Sequence, residues 1–316
     1  MKFRWLFDYT CLVFCLLSFF GSRACAQSFD DVVVTLRGSH ATLEGRITMF
    51  NRNGLYLRQG DETIHVEANA VLEIQFPKST RWQYADQCFA MGNYDEAARA
   101  YEEEFAHASE KWQKTFLGTR IMQCFVAQGN EVRAIGAFST LTRIEPNLTD
   151  EALAPIPLAW FAQPGNLSTY NVAQRGFRNT SNPWASLVYA SHLLSGAQRN
   201  EAVARLKSLL DRKDDRLTLL AQAQLWRTEI TTVSLEVAQS RRETINALPP
   251  ELRSGPCFVL GQIFAHLGEW DAAALEFLKA AEVHPASEKL KEEALKRAAQ
   301  ALKAAGHEDE SRRCSL

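Results

Sequence analysis

The sequence predicts a mainly α-helical protein in which a small β module precedes an array of helical hairpins. Two observations carry this prediction. Apolar and polar residues alternate with a period of two between residues 31 and 76, as in a sheet with one solvent-facing side. After residue 79, a loop recurs between apolar runs of helix length, with Gly followed five or six residues later by Ala. We therefore expect a β domain at 28–78 and paired helices over 79–316.

The first 26 residues form a segment unlike the rest of the chain. Lys2 and Arg4 precede an almost wholly apolar run at 11–20, and Ala24-Cys25-Ala26 has the small-x-small pattern that signal peptidase cuts. Such a run is too short to cross a bilayer, which needs about 20 apolar residues. We expect a signal peptide at 1–26 and export to the periplasm, cell envelope or medium, with no integral membrane span after cleavage. An uncleaved anchor and lipidation at Cys25 are the alternatives.

Composition gives no indication of a strongly charged binding surface. The chain has 35 basic and 37 acidic residues, a net charge of −2, and no concentrated basic patch. Nucleic acid binding needs such a patch, so we expect no nucleic acid partner. The four cysteines after the signal peptide are far apart and lack any CxxC spacing, which favours buried free thiols, with a Cys88–Cys124 bridge as the alternative. They are Cys88, Cys124, Cys257 and Cys314.

The β module is predicted to contain five short strands. Asn53-Gly54 and Gly60-Asp61 mark tight turns between them. The strands are expected at 31–36, 43–50, 55–58, 63–67 and 71–76. Five short strands in this arrangement resemble the SH3-like and Sm-like barrels that precede repeat arrays in some exported bacterial proteins. The resemblance implies a small β-barrel at 28–78, which either binds a ligand or only packs as a cap on the helices.

The helical region repeats with a regular spacing. Its marker alanines lie 37, then 68, then 71 residues apart, and the last two intervals are close to twice 34. Each marker is followed four residues later by a large apolar residue. The alanines are Ala97, Ala134, Ala202 and Ala273, and their large partners are Tyr101, Phe138, Leu206 and Phe277. A degenerate unit is expected in each long interval, with its marker near Ser168 and near Val237.

The loop itself resembles that of the tetratricopeptide repeat, Gly-x-Tyr-x-x-Ala between helix A and helix B. It reads Gly92-Asn93-Tyr94-Asp95-Glu96-Ala97 in the first unit and Gly268-Glu269-Trp270-Asp271-Ala272-Ala273 in the last. The Gly ends helix A, the aromatic residue packs between the helices, and the Ala lets them approach closely. The resemblance implies a TPR-like α-solenoid of about six hairpins, and an ordinary helical bundle is the alternative.

Two departures from the repeat pattern are expected. Pro155, Pro157 and Gly176 are among several breakers that predict an irregular segment at 155–183, with a loop around 176–183. A final helix at 287–304, ended by Gly306, is predicted to cap the array.

No motif for catalysis, metal binding or a cofactor is present in the sequence. The histidines and cysteines have no metal-ligand spacing, and neither a phosphate-binding loop nor a Gly-x-Ser-x-Gly turn occurs. We therefore predict a non-enzymatic scaffold or adaptor without a cofactor. An enzyme with an unrecognised site is the least favoured hypothesis.

The tetratricopeptide resemblance implies a protein or peptide partner in a concave groove lined by the A helices. Carried over unit by unit, the groove residues are Trp82, Asp86, Thr119, Gln123, Leu187, Ser191, Phe258, Gln262 and His266. Their mixture of apolar and amide side chains suits a peptide or helix. The alternative is a factor that associates with the cell wall or binds glycans, with stacking aromatics supplied by the β-barrel or by the irregular segment near Trp160 and Trp184.

Overall fold

A computed structural model describes residues 32–39, 41–162, 166–282 and 287–314. The predicted signal peptide at 1–26 lies outside these residues. The described chain is mainly helical, with a small five-stranded antiparallel sheet near its N-terminus. The described residues divide into two compact units, those up to Thr48 together with Leu55–Pro77, and Met49–Gly54 together with those from Lys78 onward. None of the helices in the described ranges combines the length and apolar character needed to cross a membrane.

The sheet has the strand order β4-β3-β2-β1-β5. Its strands are β1 (Val32–Leu36), β2 (Thr42–Asn51), β3 (Gly54–Gln59), β4 (Glu62–Val66) and β5 (Val71–Gln75). Each strand lies within one residue of its predicted ends, and the period-2 pattern is confirmed. Leu55 and Leu57 of β3 are fully buried, whereas Arg58 is exposed. The alternation works because successive side chains of a strand point to opposite faces.

The helices occupy the rest of the described chain and are numbered here in order. They are α1 (Thr80–Ala90), α2 (Tyr94–His107), α3 (Lys111–Ala127), α4 (Glu131–Ile144), α5 (Asp150–Leu153), α6 (Leu167–Asn179), α7 (Pro183–Leu193), α8 (Arg199–Lys207), α9 (Asp215–Trp226), α10 (Leu235–Asn246), α11 (Ser254–His266), α12 (Trp270–Glu282), α13 (Glu288–Ala304) and α14 (Glu308–Arg313). Consecutive helices pack on one another, most extensively in the runs α1–α4 and α11–α13. The last helix, α14, was not predicted.

Three interhelical loops share one geometry. Gly92, Gly129 and Gly268 have φ values of 77°, 66° and 78°. In each loop the amide after the Gly donates to a carbonyl five residues earlier, as Asn93 N–H does to Cys88 O at 2.8 Å. This bond satisfies a carbonyl at the end of the first helix, and the left-handed φ that it requires suits a residue without Cβ. The predicted helix-ending role of these glycines is therefore confirmed.

The marker alanines and their large partners lie in the interfaces between helices. All eight of these side chains are buried. The first helix of a pair contributes small residues opposite them, and at Gly261 of α11 a Cβ would lie 2.8 Å from the Phe277 ring. The spacing of small and large residues therefore reflects close packing between paired helices.

The marker positions of the two degenerate units lie near the expected ones, each displaced by one residue. Ser168 and Val237 are exposed, and the buried residues are their neighbours Thr169 and Ala238. The unit before Thr169 lacks a regular first helix, and the turns at 227–234 are longer than the Gly loops. The helices that follow are therefore displaced relative to a constant 34-residue spacing.

Gly176 does not form the predicted loop. It lies inside α6, and the chain turns instead at residues 180–182. A Cβ at Gly176 would lie 2.2 Å from Cζ of Tyr189, so this Gly makes room for an aromatic ring of α7. The prediction failed because a Gly selected for close packing looks in sequence like a helix breaker.

Trp270 also differs from its expected role. It is 39% exposed, whereas the equivalent Tyr94 contacts the Phe89 ring edge-on, with 5.4 Å between centroids. The interhelical wedge is therefore present at Tyr94, while the indole of Trp270 remains largely in solvent.

Residues 155–161 form a buried segment without helix or strand, which we call the inner segment. Pro155 and Pro157 lack the amide hydrogens that a helix uses and disfavour helical geometry in the residues before them. Ile156, Leu158 and Trp160 are nevertheless buried. The predicted irregularity at 155–183 is thus confined largely to its first part, because α6 occupies most of the remainder.

Candidate functional site

The nine predicted groove residues lie on the four helices α1, α3, α7 and α11, and they differ in accessibility. Trp82, Leu187, Ser191 and Phe258 are buried, Asp86, Thr119, Gln123 and Gln262 are half-buried, and His266 is exposed. The structure therefore separates residues that pack between elements from those that a partner can reach.

On α1, Asp86 is already bound by other groups of the chain. Its carboxylate accepts from Lys78 Nζ at 2.6 Å and from the Tyr101 hydroxyl at 2.5 Å. Burial, together with the bond to Asp86, raises the pKa of Tyr101 above its usual value, so this hydroxyl stays protonated. The Trp82 ring packs against Phe116 of α3, with 5.8 Å between centroids. Both residues thus stabilise the contact between α1 and its neighbours.

On α3, an arginine lies between two aromatic rings beside the predicted groove residues. The guanidinium carbon of Arg120 is 5.0 Å from the Phe89 centroid and 5.5 Å from that of Phe116. Its Nη1 donates to Gln123 Oε1 at 3.1 Å. Thr119 donates to a backbone carbonyl of its own helix. This part of α3 presents a cation, an amide and aromatic edges on one partly accessible surface.

Ser191 and Phe258 are covered by the inner segment of the same chain. Ser191 Oγ accepts from the Ala159 amide at 3.1 Å, and the Phe258 and Phe161 rings have centroids 5.6 Å apart. These two predicted groove residues are therefore brought together, with a stretch of polypeptide already lying on them.

Two further side chains bond to the backbone of the inner segment, and neither was among the predicted groove residues. His192 Nε2 donates to the Pro157 carbonyl at 2.9 Å. Arg227 Nη1 donates to the carbonyls of Ala159 at 2.7 Å and Ser191 at 2.9 Å. His192 was one of several scattered histidines, and Arg227 belongs to no motif. Each residue acquires a structural role only because the inner segment, which is distant in sequence, packs beside it.

A cavity of about 370 Å³ opens beside the inner segment. Polar and aromatic side chains line it, including Glu131, Phe161, Tyr170, His192, Ser195 and Arg227. Its two charged groups are held differently. Glu131 accepts from Asn166, Thr169 and Lys289, whereas Arg227, among the described residues, donates to neutral oxygens only.

The environment of the cavity shifts two pKa values. Burial lowers the pKa of His192 below 6.5, although its bond to the Pro157 carbonyl and the charge of Glu131 act in the opposite direction. Burial and the nearby Arg199 lower the pKa of Arg227 to about 10. At neutral pH, His192 is therefore neutral and Arg227 remains cationic.

His192 is expected to make the fold less stable in mild acid. Because its pKa is lower in the folded state, the unfolded chain binds a proton first as the pH falls below about 6.5. The free energy of unfolding should then decrease by up to about 1.4 kcal/mol per pH unit until the folded pKa is passed. His192→Gln keeps a donor for Pro157 but does not titrate, so it should flatten this dependence in urea unfolding between about pH 5 and pH 8.

The matched control is His266→Gln, at an exposed histidine of α11. This variant should keep the wild-type pH dependence. An unchanged slope in His192→Gln would contradict the assignment to His192.

The cysteines and possible metal ligands show no reactive arrangement in the described ranges. Cys88, Cys124, Cys257 and Cys314 are free thiols, and burial raises the pKa of Cys124 and Cys257 to about 12. Such thiols are protonated and unreactive at neutral pH. No group of three or more His, Cys, Asp or Glu residues placed to hold a metal ion occurs among the residues searched.

The aromatic residues suggested for glycan stacking are not accessible. Trp160 and Trp184 are 5% and 4% exposed, so neither indole offers a free face to a sugar ring. The expectation that these two indoles stack on a sugar is therefore wrong, because both rings pack in the core.

No protein-family model matches this chain, and no curated protein matches it.

Proposed function

We propose that this chain is a non-enzymatic exported scaffold or adaptor that binds a polypeptide partner in the cell envelope. In this proposal the helix pairs form a TPR-like α-solenoid of about six hairpins, and the N-terminal sheet forms a small SH3-like or Sm-like barrel. The partner lies along the first helices of the pairs.

The inner segment is the observation that carries the proposal. It is a stretch of non-helical polypeptide whose backbone is held by α7 and by Arg227, the residue that follows α9. The Ala159 amide and the Pro157 carbonyl bond to Ser191 and His192 of α7, and the Ala159 carbonyl bonds to Arg227. Phe161 adds a ring contact with Phe258. Backbone hydrogen bonds combined with side-chain contacts are the means by which proteins hold peptide ligands.

The accessible first-helix residues offer similar chemistry to a partner from another chain. Gln123 and Gln262 are half-buried amides, and both lie on first helices that also carry apolar groups. Arg120, between Phe89 and Phe116, adds a cation whose partner is the neutral amide of Gln123. Amide, guanidinium and aromatic groups together suit an extended segment with exposed backbone and apolar or acidic side chains.

Site-specific photocrosslinking in the native cell tests this proposal. A photoreactive amino acid replaces Gln123 or Gln262 in the complete chain. Each position should yield a discrete adduct with the same partner polypeptide, because both lie on the proposed binding surface. The adducts are resolved by gel electrophoresis, and the attached chain is identified by mass spectrometry.

The matched controls are Arg99 and Leu275, which are exposed on the second helices α2 and α12. These positions should give no such adduct. Equal adducts at all four positions, or none at Gln123 and Gln262, would contradict binding along the first helices.

A further inference from the structure

Arg227 is a cation at the wall of the cavity. No Asp or Glu lies within ion-pair distance of its guanidinium in the described ranges. Its Nη1 contacts three neutral acceptors, the carbonyls of Ala159 and Ser191 and Gln224 Oε1 at 2.6 Å. A partly buried guanidinium normally acquires a carboxylate or phosphate partner, because desolvation penalises its charge.

The other edge of the guanidinium remains available. Nε and Nη2 of Arg227 have no acceptor among the described residues, and neither belongs to the fully buried nitrogens without a partner found there. These two nitrogens point their hydrogens in parallel and match the two oxygens of a carboxylate. The three Nη1 contacts orient the group, so an incoming anion meets a guanidinium whose position is already set.

Glu131, on the same cavity, does not neutralise Arg227. Its Oε2 accepts from Asn166 Nδ2 at 2.9 Å and Thr169 Oγ1 at 3.3 Å, and its Oε1 pairs with Lys289 Nζ at 3.3 Å. Both oxygens of this carboxylate therefore already interact with neighbouring residues. Its negative charge would nevertheless disfavour a multiply charged ligand such as a phosphate dianion.

We propose that the cavity binds the carboxylate of a small monocarboxylic ligand, with Arg227 as its counterion. Nε and Nη2 donate to the two carboxylate oxygens, and the body of the ligand packs against Phe161 and Tyr170. A cavity of about 370 Å³ has the size of small-molecule sites. The same carboxylate chemistry has two sources, a free acid and the C-terminus of a peptide. The inference does not depend on the binding surface proposed above.

Calorimetric titration of protein purified from cells that express the complete chain tests this inference. The probes are N-acetylphenylalanine and N-acetylleucine, each compared with its primary amide, and N-acetyl-Ala-Ala-Phe with a free or amidated C-terminus. A free acid should bind at least about tenfold more tightly than the matching amide, because the amide cannot pair with a cation. Preference for the single amino acids indicates a free acid, and preference for the tripeptide indicates a chain terminus.

Two variants assign the preference to Arg227 and to the cavity. Arg227→Gln should reduce acid affinity at least about tenfold and remove the difference between acid and amide. Ser195→Trp, at an exposed residue of the cavity wall, should weaken acid and amide alike by filling the space while leaving Arg227 in place. Arg199→Gln changes a nearby exposed arginine that does not line the cavity, and it should retain the wild-type preference.

Three outcomes overturn the inference. They are equal affinity for acid and amide, an acid preference that survives Arg227→Gln in a folded variant, and absence of binding by every probe at about 1 mM. If Arg227→Gln fails to fold, the acid preference of the wild type, together with weaker binding of both acid and amide by Ser195→Trp, decides the matter.

Discussion

Replacing Trp160 by alanine should lower the free energy of unfolding by about 3–5 kcal/mol. Its indole lies on the inner segment, is 5% exposed, and covers the start of α11 at Gly255. Truncation removes a large buried apolar surface and leaves a cavity that its rigid neighbours can fill only in part. Urea unfolding followed by far-ultraviolet circular dichroism measures the loss.

A double-mutant cycle with Gly255 tests the contact itself. A Cβ at Gly255 would lie 1.8 Å from Cε2 of Trp160, a separation that two atoms cannot occupy. Gly255→Ala alone should therefore destabilise the fold by about 1–3 kcal/mol through overpacking. In the Trp160→Ala background the same change should cost little or stabilise, because the methyl group enters vacated space.

Gly136→Ala provides the matched control for the cycle. Gly136 lies in α4, and a Cβ there would meet no atom within 4 Å. This change should be neutral or stabilise by up to about 1 kcal/mol through helix propensity. Additive effects of Trp160→Ala and Gly255→Ala would show that the indole does not pack on Gly255.

Replacing Arg216 by methionine should cost about 3 kcal/mol of stability. Arg216 is 3% exposed and donates to Asp214 at 2.9 Å, to Asp150 at 2.6 Å and to the Leu148 carbonyl at 2.8 Å. Methionine fills similar volume but leaves these acceptors without their donor. Asp214 keeps an ion pair with Arg52 at 2.6 Å. The expected loss of stability is therefore at the lower end of the range for a broken buried ion pair.

The effect of Arg216→Met should depend on pH. Burial raises the pKa of Asp214, but the hydrogen bonds and charge of Arg216 outweigh it and hold the pKa below its usual value. A lowered folded pKa contributes stability above about pH 4 that is lost as the pH falls through the folded value. The gap in unfolding free energy between wild type and Arg216→Met should therefore narrow below about pH 4.

Arg312→Met is the control for this pair. Arg312 bonds to Asp309 at 2.6 Å, but both side chains are more than 70% exposed. An exposed pair contributes little, so the change should stay within about 0.5 kcal/mol. If Arg312→Met lowered the free energy of unfolding as much as Arg216→Met, the assigned role of burial would be contradicted. A difference in unfolding free energy between wild type and Arg216→Met that did not change with pH would contradict it as well.

Much of the fold could be predicted from the sequence because it depends on local interactions. The strand ends follow from alternation and Asn-Gly turns, because a pleated strand sends successive side chains to opposite faces. The helix-ending glycines could be predicted because such a helix end needs a left-handed φ, here 66–78°, which favours Gly. The buried marker alanines follow because two paired helices must approach closely at regular positions. Each of these depends on residues near one another in the chain.

Other features arise only when distant residues meet. Gly176 was misread because the Tyr189 ring that needs its space comes from the next helix. The shift from Ser168 to Thr169 depends on how the chain enters α6 after the inner segment. In both cases the deciding term is a packing contact, which leaves no periodic signal in the sequence.

The candidate sites divide in the same way. The sequence by itself determined a β module, helices ended by glycines and a set of first-helix positions that includes Ser191 and Phe258. Only the tertiary structure decided that the inner segment covers these two residues and that Arg227 lines a cavity with no carboxylate partner in the part of the chain that the structure describes. The physical reason is that helix and strand periodicity specify which face of an element is apolar. Burial of an individual polar group depends on which distant elements pack beside it.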